Sequence, residues 1–114
     1  MEFSFNIENK TSHAIIHLKG MMMDKSHSAP MLAEVDVLVK NGTNRFVINL
    51  AAMDYMNSSG LNTLVNILTK ARTKGGEVVI AHLSEKVKQL FLITKLNTLF
   101  TITDSVDEAE NKLA

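Results

Sequence analysis

Near its start, the chain has two stretches in which apolar and polar residues alternate with the period of a β-strand. The first covers residues 3–7 and the second residues 14–18. Each pattern predicts a strand with one buried face and one wetter face. Because the link between them is too short for a parallel crossover, we expect the two strands to form an antiparallel hairpin.

After this pair, helical and strand patterns take turns. Continuous apolar runs predict buried strands at residues 46–50 and 78–81, with a short last strand at 99–102. Apolar residues at helical spacing predict about four helices. Their stripes are Met31, Leu32, Val35, Leu38 and Val39; Leu61, Leu64, Val65, Leu68 and Ala71; Val87, Leu90 and Phe91; and Val106, Ala109 and Leu113. This order predicts an α/β domain with a mixed sheet that is mainly parallel after the first pair.

Turn and cap residues separate these elements. Asn41 and Gly42 are expected to end the first helix, and Gly75 with Gly76 the second. Ser84 is expected to cap the third helix, and Ser105 with Glu108 forms a capping box for the last.

Composition excludes several classes of function. The chain of 114 residues is expected to be a single domain, residues 1–114. Its 12 basic and 12 acidic side chains cancel, so no overall field attracts nucleic acid or an anionic membrane. There is no cysteine for disulfides or thiol catalysis. No apolar run reaches the ~20 residues needed to cross a bilayer. We therefore expect a cytoplasmic protein without direct nucleic-acid or membrane partners.

The most informative segment is the strand-to-helix turn at residues 55–61, which carries two hydroxyls and a glycine. A side-chain oxygen at a helix N-terminus can accept from backbone N–H groups that have no partner inside the helix. Ser58 and Ser59 suit that place, and Ser59 is the expected cap. The same position favours an added phosphate. Gly60 is expected to allow close backbone approach to a strand or a partner.

This turn and its surroundings resemble the anti-sigma factor antagonists, which are single STAS domains. Residues 56–61 look like the family's Asp-Ser-Ser/Thr-Gly-Leu turn, and residues 45–50 like the strand before it. Residues 74–80 and 87–91 are similar to later family segments. The likeness covers residues 45–114 well and the first 44 residues more loosely. It implies a STAS fold.

The resemblance also implies a function without catalysis or cofactor. In the family, the serine at the position of Ser58 is phosphorylated by a partner that is both anti-sigma factor and serine kinase. The unphosphorylated antagonist binds that partner and frees the sigma factor, and a PP2C-type phosphatase resets the switch. Side chains expected to meet the partner are Tyr55, Met56, Asn57, Ser58, Ser59, Gly60 and Asp24. Met53, Tyr55 and Met56 are expected to form an apolar rim beside the serines.

Asn57 departs from the family, which usually has aspartate there. The amide keeps the size of aspartate but lacks its charge, so an Asn57→Asp change is expected to improve kinase recognition if the acid is what the kinase reads. The neutral residue also favours an alternative function, a constitutive adaptor subunit of a transporter or sensor complex that is not phosphorylated. A small hydrolase or nucleotide-binding enzyme has only generic α/β support.

Other side chains favour structural interpretations. His13 and His17 share a strand face but lack a nearby acidic pair in the sequence, so they are expected to be solvated and not to bind metal. The methionines at residues 21–23 are expected to close the core beneath a loop.

Overall fold

The computed structural model describes residues 3–113, apart from the side chain of Lys25. Within these residues, five strands and four helices follow one another, and a short 3₁₀ turn, Leu96–Thr98, lies between the third helix and the last strand. The strands are β1 Ser4–Asn9, β2 Ala14–Met22, β3 Arg45–Met56, β4 Glu77–Ala81 and β5 Thr101–Thr103. The helices are α1 Lys25–Lys40, α2 Ser58–Thr73, α3 Glu85–Thr94 and α4 Val106–Leu113.

The strands form one sheet in the order β1-β2-β3-β4-β5. The first pair is antiparallel and the other three pairs are parallel, which confirms the predicted mixed sheet. An isoleucine from each strand lies in register with the next across the whole sheet. These five are Ile7, Ile16, Ile48, Ile80 and Ile102.

Helices cover the two faces of the sheet unequally. α1, α2 and α3 pack on the face that carries the isoleucine row and form the larger core. α4 packs on the other face, where Ala109 and Leu113 contact a smaller cluster of strand residues. None of the described helices is long and apolar enough to span a bilayer.

Two histidines on the second face are held by acids. His13 Nε2 lies 2.7 Å from Glu110 Oε2 and so ties β2 to α4. His17 Nε2 lies 3.0 Å from Glu8 Oε1, and Lys10 with His17 holds the pKa of that carboxyl below its usual value. The expectation of solvated histidines is therefore wrong for His13, whose side chain is only 12% exposed. Within residues 3–113, no three His, Asp or Glu side chains gather as a metal site.

β3 is longer than the sequence pattern predicts. It continues past residue 50 to Met56, with one extra residue relative to β2 at each of two irregularities. These bulges break the two-residue alternation, and Ala51, Ala52 and Asp54 are exposed. β4 pairs only with residues 45–49 of β3. The second half of β3, which leads to the turn, is therefore paired with β2 alone.

Two other elements shift from their predicted positions. α1 begins at Lys25, well before its apolar stripe, because Asp24 caps it by accepting from the Ser26 N–H at 3.2 Å. It ends as predicted before Gly42, which has a φ of 101°. The last strand begins at Thr101, since the 3₁₀ turn occupies the chain before it.

The remaining predicted helix ends are confirmed. Ser84 accepts from the Val87 N–H, and Ser105 accepts from the Glu108 N–H, which is the serine half of the predicted capping box. Gly75 follows α2 with a φ of 77°.

Candidate functional site

Asn57 caps α2. Its backbone is extended, with a φ of −100° and a ψ of −167°, and its Oδ1 accepts from the Gly60 N–H at 3.1 Å. Its carbonyl accepts the first helical bond, from the Leu61 N–H at 2.9 Å. The expectation that Ser59 is the cap is wrong. β3 continues to Met56, so only Asn57 remains between strand and helix, and both serines lie inside the first turn.

The two serines differ in what they can do. Ser58 is the first helical residue and is exposed. Its hydroxyl makes no hydrogen bond to any other residue in the described part of the chain. Ser59 is half-buried, and its carbonyl accepts from the Thr63 hydroxyl at 3.0 Å. Because Ser58 is the more exposed of the two serines, its hydroxyl is the more accessible to a second protein.

Gly60 lets α2 sit directly against the ends of two strands. A Cβ at this position would lie 2.6 Å from the Met22 carbonyl oxygen and 2.7 Å from the Met56 Cβ. The predicted close approach to a strand is confirmed. The turn therefore has its position fixed by contact with β2 and β3.

Gly60→Ala is expected to lower the free energy of unfolding by about 1–3 kcal/mol, because the new methyl overpacks against two strands. The gain in helix propensity is smaller in a first turn than the ~1 kcal/mol of a helix interior. Urea unfolding measures the change, and Asn66→Ala, at an exposed position of α2, is the control. Equal free energies of unfolding for Gly60→Ala and wild type would contradict the prediction, because the strands would then shift to accept the methyl group without loss of stability.

The turn also contacts the link between β2 and α1. Asn57 Nδ2 donates to the Met23 carbonyl at 2.8 Å, and the Asn57 N–H donates to the Met22 carbonyl at 3.3 Å. Asp24 follows directly and is exposed. We call residues 22–24 the corner and residues 57–60 the Ser58 turn. The structure thus brings Asn57 and Gly60 to the corner that carries Asp24, and Ser58 follows Asn57 directly in the chain.

The predicted apolar rim is only partly present. Met53 and Met56 are 2% and 0% exposed, so the expectation that they border the serines at the surface is wrong. Both lie in the larger core, because β3 is still a strand there and turns them toward the helices. Tyr55 is half-buried. Among the predicted core methionines, Met22 is buried and Met23 is 38% exposed.

An apolar groove lies beside Ser58 instead. It has a volume of about 230 Å³ and runs between α2 and the end of α3. Its lining residues are Ser58, Leu61, Asn62, Val65, Thr94 and Leu96. We call it the Ser58 groove. Sequence reasoning missed its far wall, since nothing in the local pattern of residues 94–96 points to a turn more than thirty positions away.

The family follows from comparison with known proteins. Residues 4–109 match the STAS domain family. The chain belongs to the STAS domain family. A relative of this STAS domain, the anti-sigma-B factor antagonist of Staphylococcus aureus, is 29% identical over 106 residues, which cover 91% of this chain and 97% of the relative.

Solved structures agree on the fold of this STAS domain. An anti-sigma factor antagonist from Mycobacterium paratuberculosis superposes with a TM-score of 0.82 at 19% identity, over 98% of this chain and 94% of that chain. The Bacillus cell fate determinant SpoIIAA in its phosphorylated form gives 0.77 at 16% identity, over 97% and 100%. The STAS fold implied by the resemblance is confirmed.

Proposed function

We propose that this STAS domain is a cytoplasmic anti-sigma factor antagonist. It binds an anti-sigma factor with serine kinase activity while Ser58 is unphosphorylated, and phosphorylation of Ser58 releases it. The name of the Staphylococcus aureus relative supports an anti-sigma factor as the partner. The observation that carries the proposal is the position of Ser58, exposed at the start of α2 and on the wall of an apolar groove.

In the proposed phosphorylation, the STAS domain supplies only the acceptor hydroxyl. The Ser58 Oγ forms a bond to the γ-phosphorus of an ATP held by the partner, while the bond to the bridging oxygen breaks and ADP leaves. The hydroxyl proton passes to a base of the partner. A PP2C-type phosphatase later hydrolyses the phosphoester with water and restores the hydroxyl. The domain contributes an acceptor that is held still and left accessible.

The free domain accommodates a phosphate at low cost. Ser58 lies in the first turn of α2, where the positive end of the helix dipole stabilises an added anion by about 0.3–1 kcal/mol. Because Ser58 is exposed, its phosphate keeps much of its hydration. We therefore expect the phosphorylated domain to stay folded.

A bound partner changes this balance. The Ser58 groove offers apolar contact next to the hydroxyl, and Ile93, beside Thr94 in the chain, is 75% exposed. A partner that covers the groove removes water from Ser58 as well. A phosphate there carries roughly −1.5 to −2 charges, which are costly to dehydrate. Phosphorylation thus opposes the complex more than it opposes the fold.

Ser58→Ala is expected to abolish phosphate incorporation by the anti-sigma factor kinase and to leave the fold intact. Intact-mass measurement after incubation with the kinase and ATP gives the result, and Ser59→Ala is the matched control that should still gain one phosphate. Phosphate that persists in Ser58→Ala would assign the acceptor elsewhere. A wild-type domain that binds a partner stably and never gains phosphate would favour the constitutive adaptor.

A further inference from the structure

Asn57 uses both ends of its side-chain amide. The oxygen accepts from the Gly60 N–H at 3.1 Å, and the nitrogen donates to the Met23 carbonyl at 2.8 Å. An aspartate can reproduce the first bond but not the second, because a carboxylate has no N–H to donate. The residue that departs from the family's turn therefore makes a contact that the family's usual residue cannot make.

We infer that Asn57 is a positioning residue for the switch: its amide holds the corner against the Ser58 turn, so that a partner meets both as one surface. The inference rests on the proposed function. It also reverses the expectation drawn from the sequence, in which Asn57→Asp improves kinase recognition.

The contacts around Asn57 show how the two parts are joined. The Asn57 N–H also bonds the Met22 carbonyl. Farther inside, the buried hydroxyls of Ser28 in α1 and Thr63 in α2 lie 3.1 Å apart. Loss of the Asn57 amide donor therefore leaves α1 and α2 connected by the buried hydrogen bond between Ser28 and Thr63. It frees only the exposed end, where the side chains of Met23, Asp24 and Ser58 reach the surface.

An aspartate at position 57 acts against this arrangement. Its second oxygen would stand where Nδ2 now lies, 2.8 Å from the Met23 carbonyl oxygen. Two acceptors at that distance repel each other, so the corner and the turn must separate or the cap must rotate.

The test compares Asn57→Asp, which loses the donor and adds a charge, with Asn57→Ser. Serine keeps a capping oxygen but is too short to reach the Met23 carbonyl. Asn9→Asp is the matched control, because it adds the same charge at an exposed position at the end of β1, where Asn9 pairs with Ala14 at the opposite end of β2 from Met22.

The first measurement is amide hydrogen exchange of each free domain. We expect exchange at residues 22–28 and 57–61 to be about tenfold faster in both Asn57 variants and unchanged in Asn9→Asp. Unchanged exchange in both Asn57 variants would overturn the inference, because the amide would then hold nothing.

The second measurement is the steady-state phosphorylation of each variant by the anti-sigma factor kinase that phosphorylates the wild type. We expect KM to rise at least fivefold in both Asn57 variants and kcat to stay within twofold, since a looser surface weakens docking more than transfer. A rise in Asn57→Asp alone would assign the effect to charge and overturn the positioning role, as would an unchanged KM. If anti-sigma factor kinases do not phosphorylate the wild-type domain, the proposed function is wrong, and so is the role of Asn57 in kinase recognition. Amide hydrogen exchange then still decides whether Asn57 holds the corner.

Discussion

Phosphorylation of Ser58 is expected to weaken binding to the anti-sigma factor at least a hundredfold, which corresponds to ~2.7 kcal/mol at 25 °C. Loss of phosphate hydration together with one like-charge contact is enough for this change. Isothermal titration of the partner with unphosphorylated domain and with domain that carries phosphoserine at position 58 measures it.

Two variants separate charge from bulk in this experiment. Ser58→Ala removes only the hydroxyl and is expected to bind within about threefold of wild type, whereas Ser58→Asp adds one charge and should show part of the loss. Asn9→Asp, remote from the Ser58 turn, should bind as wild type does. If the phosphorylated domain has the dissociation constant of the unphosphorylated one, Ser58 lies outside the interface.

Gly76→Ala is expected to cost about 3 kcal/mol of unfolding free energy or to prevent folding, a larger effect than at Gly42. A Cβ at Gly76 would lie 1.7 Å from the Asn44 carbonyl oxygen and 2.5 Å from its carbon. Neither atom can move alone, because that oxygen accepts from the Glu77 N–H where β3 and β4 begin.

Urea unfolding gives the comparison, with Gly42→Ala as the control. A Cβ at Gly42 meets nothing within 4 Å, but its φ is 101°, so the cost there is backbone strain of about 1 kcal/mol. Equal losses at the two positions would mean that the contact with Asn44 relaxes freely. A larger loss at Gly76 is the expected result.

The sequence pattern predicts those elements in which the type of each residue follows from its own burial and its local hydrogen bonds. The apolar runs at residues 46–50 and 78–81 identified the central strands, because parallel strands are buried on both faces. The stripe that includes Leu61 and Leu64 identified α2, since only one face of that helix meets the sheet. Caps such as Ser84 are predictable from the sequence because the capping hydrogen bond spans only three positions.

The parts that the sequence did not reveal depend on distant residues. The end of β3 is not predictable from the local pattern, because its bulges arise from pairing with β2 and break the two-residue alternation. The cap at Asn57 is not predictable locally either, because its position depends on where that strand ends. The Met23 partner of Asn57 lies 34 positions away in the chain. Without that partner, the hydrogen bond that an amide makes at residue 57 and a carboxylate cannot make is not predictable.

The uneven pairing of β3 has a mechanical consequence. Its first half lies between two strands, whereas the half that leads to Ser58 has hydrogen-bonded neighbours on one side only, in β2. Opening this end breaks fewer backbone hydrogen bonds than unfolding the central sheet. Side-chain packing supplies the support that backbone pairing lacks here, since Met53 and Met56 lie in the larger core. A force that a bound protein applies to this end therefore reaches the core through side chains and not through the sheet.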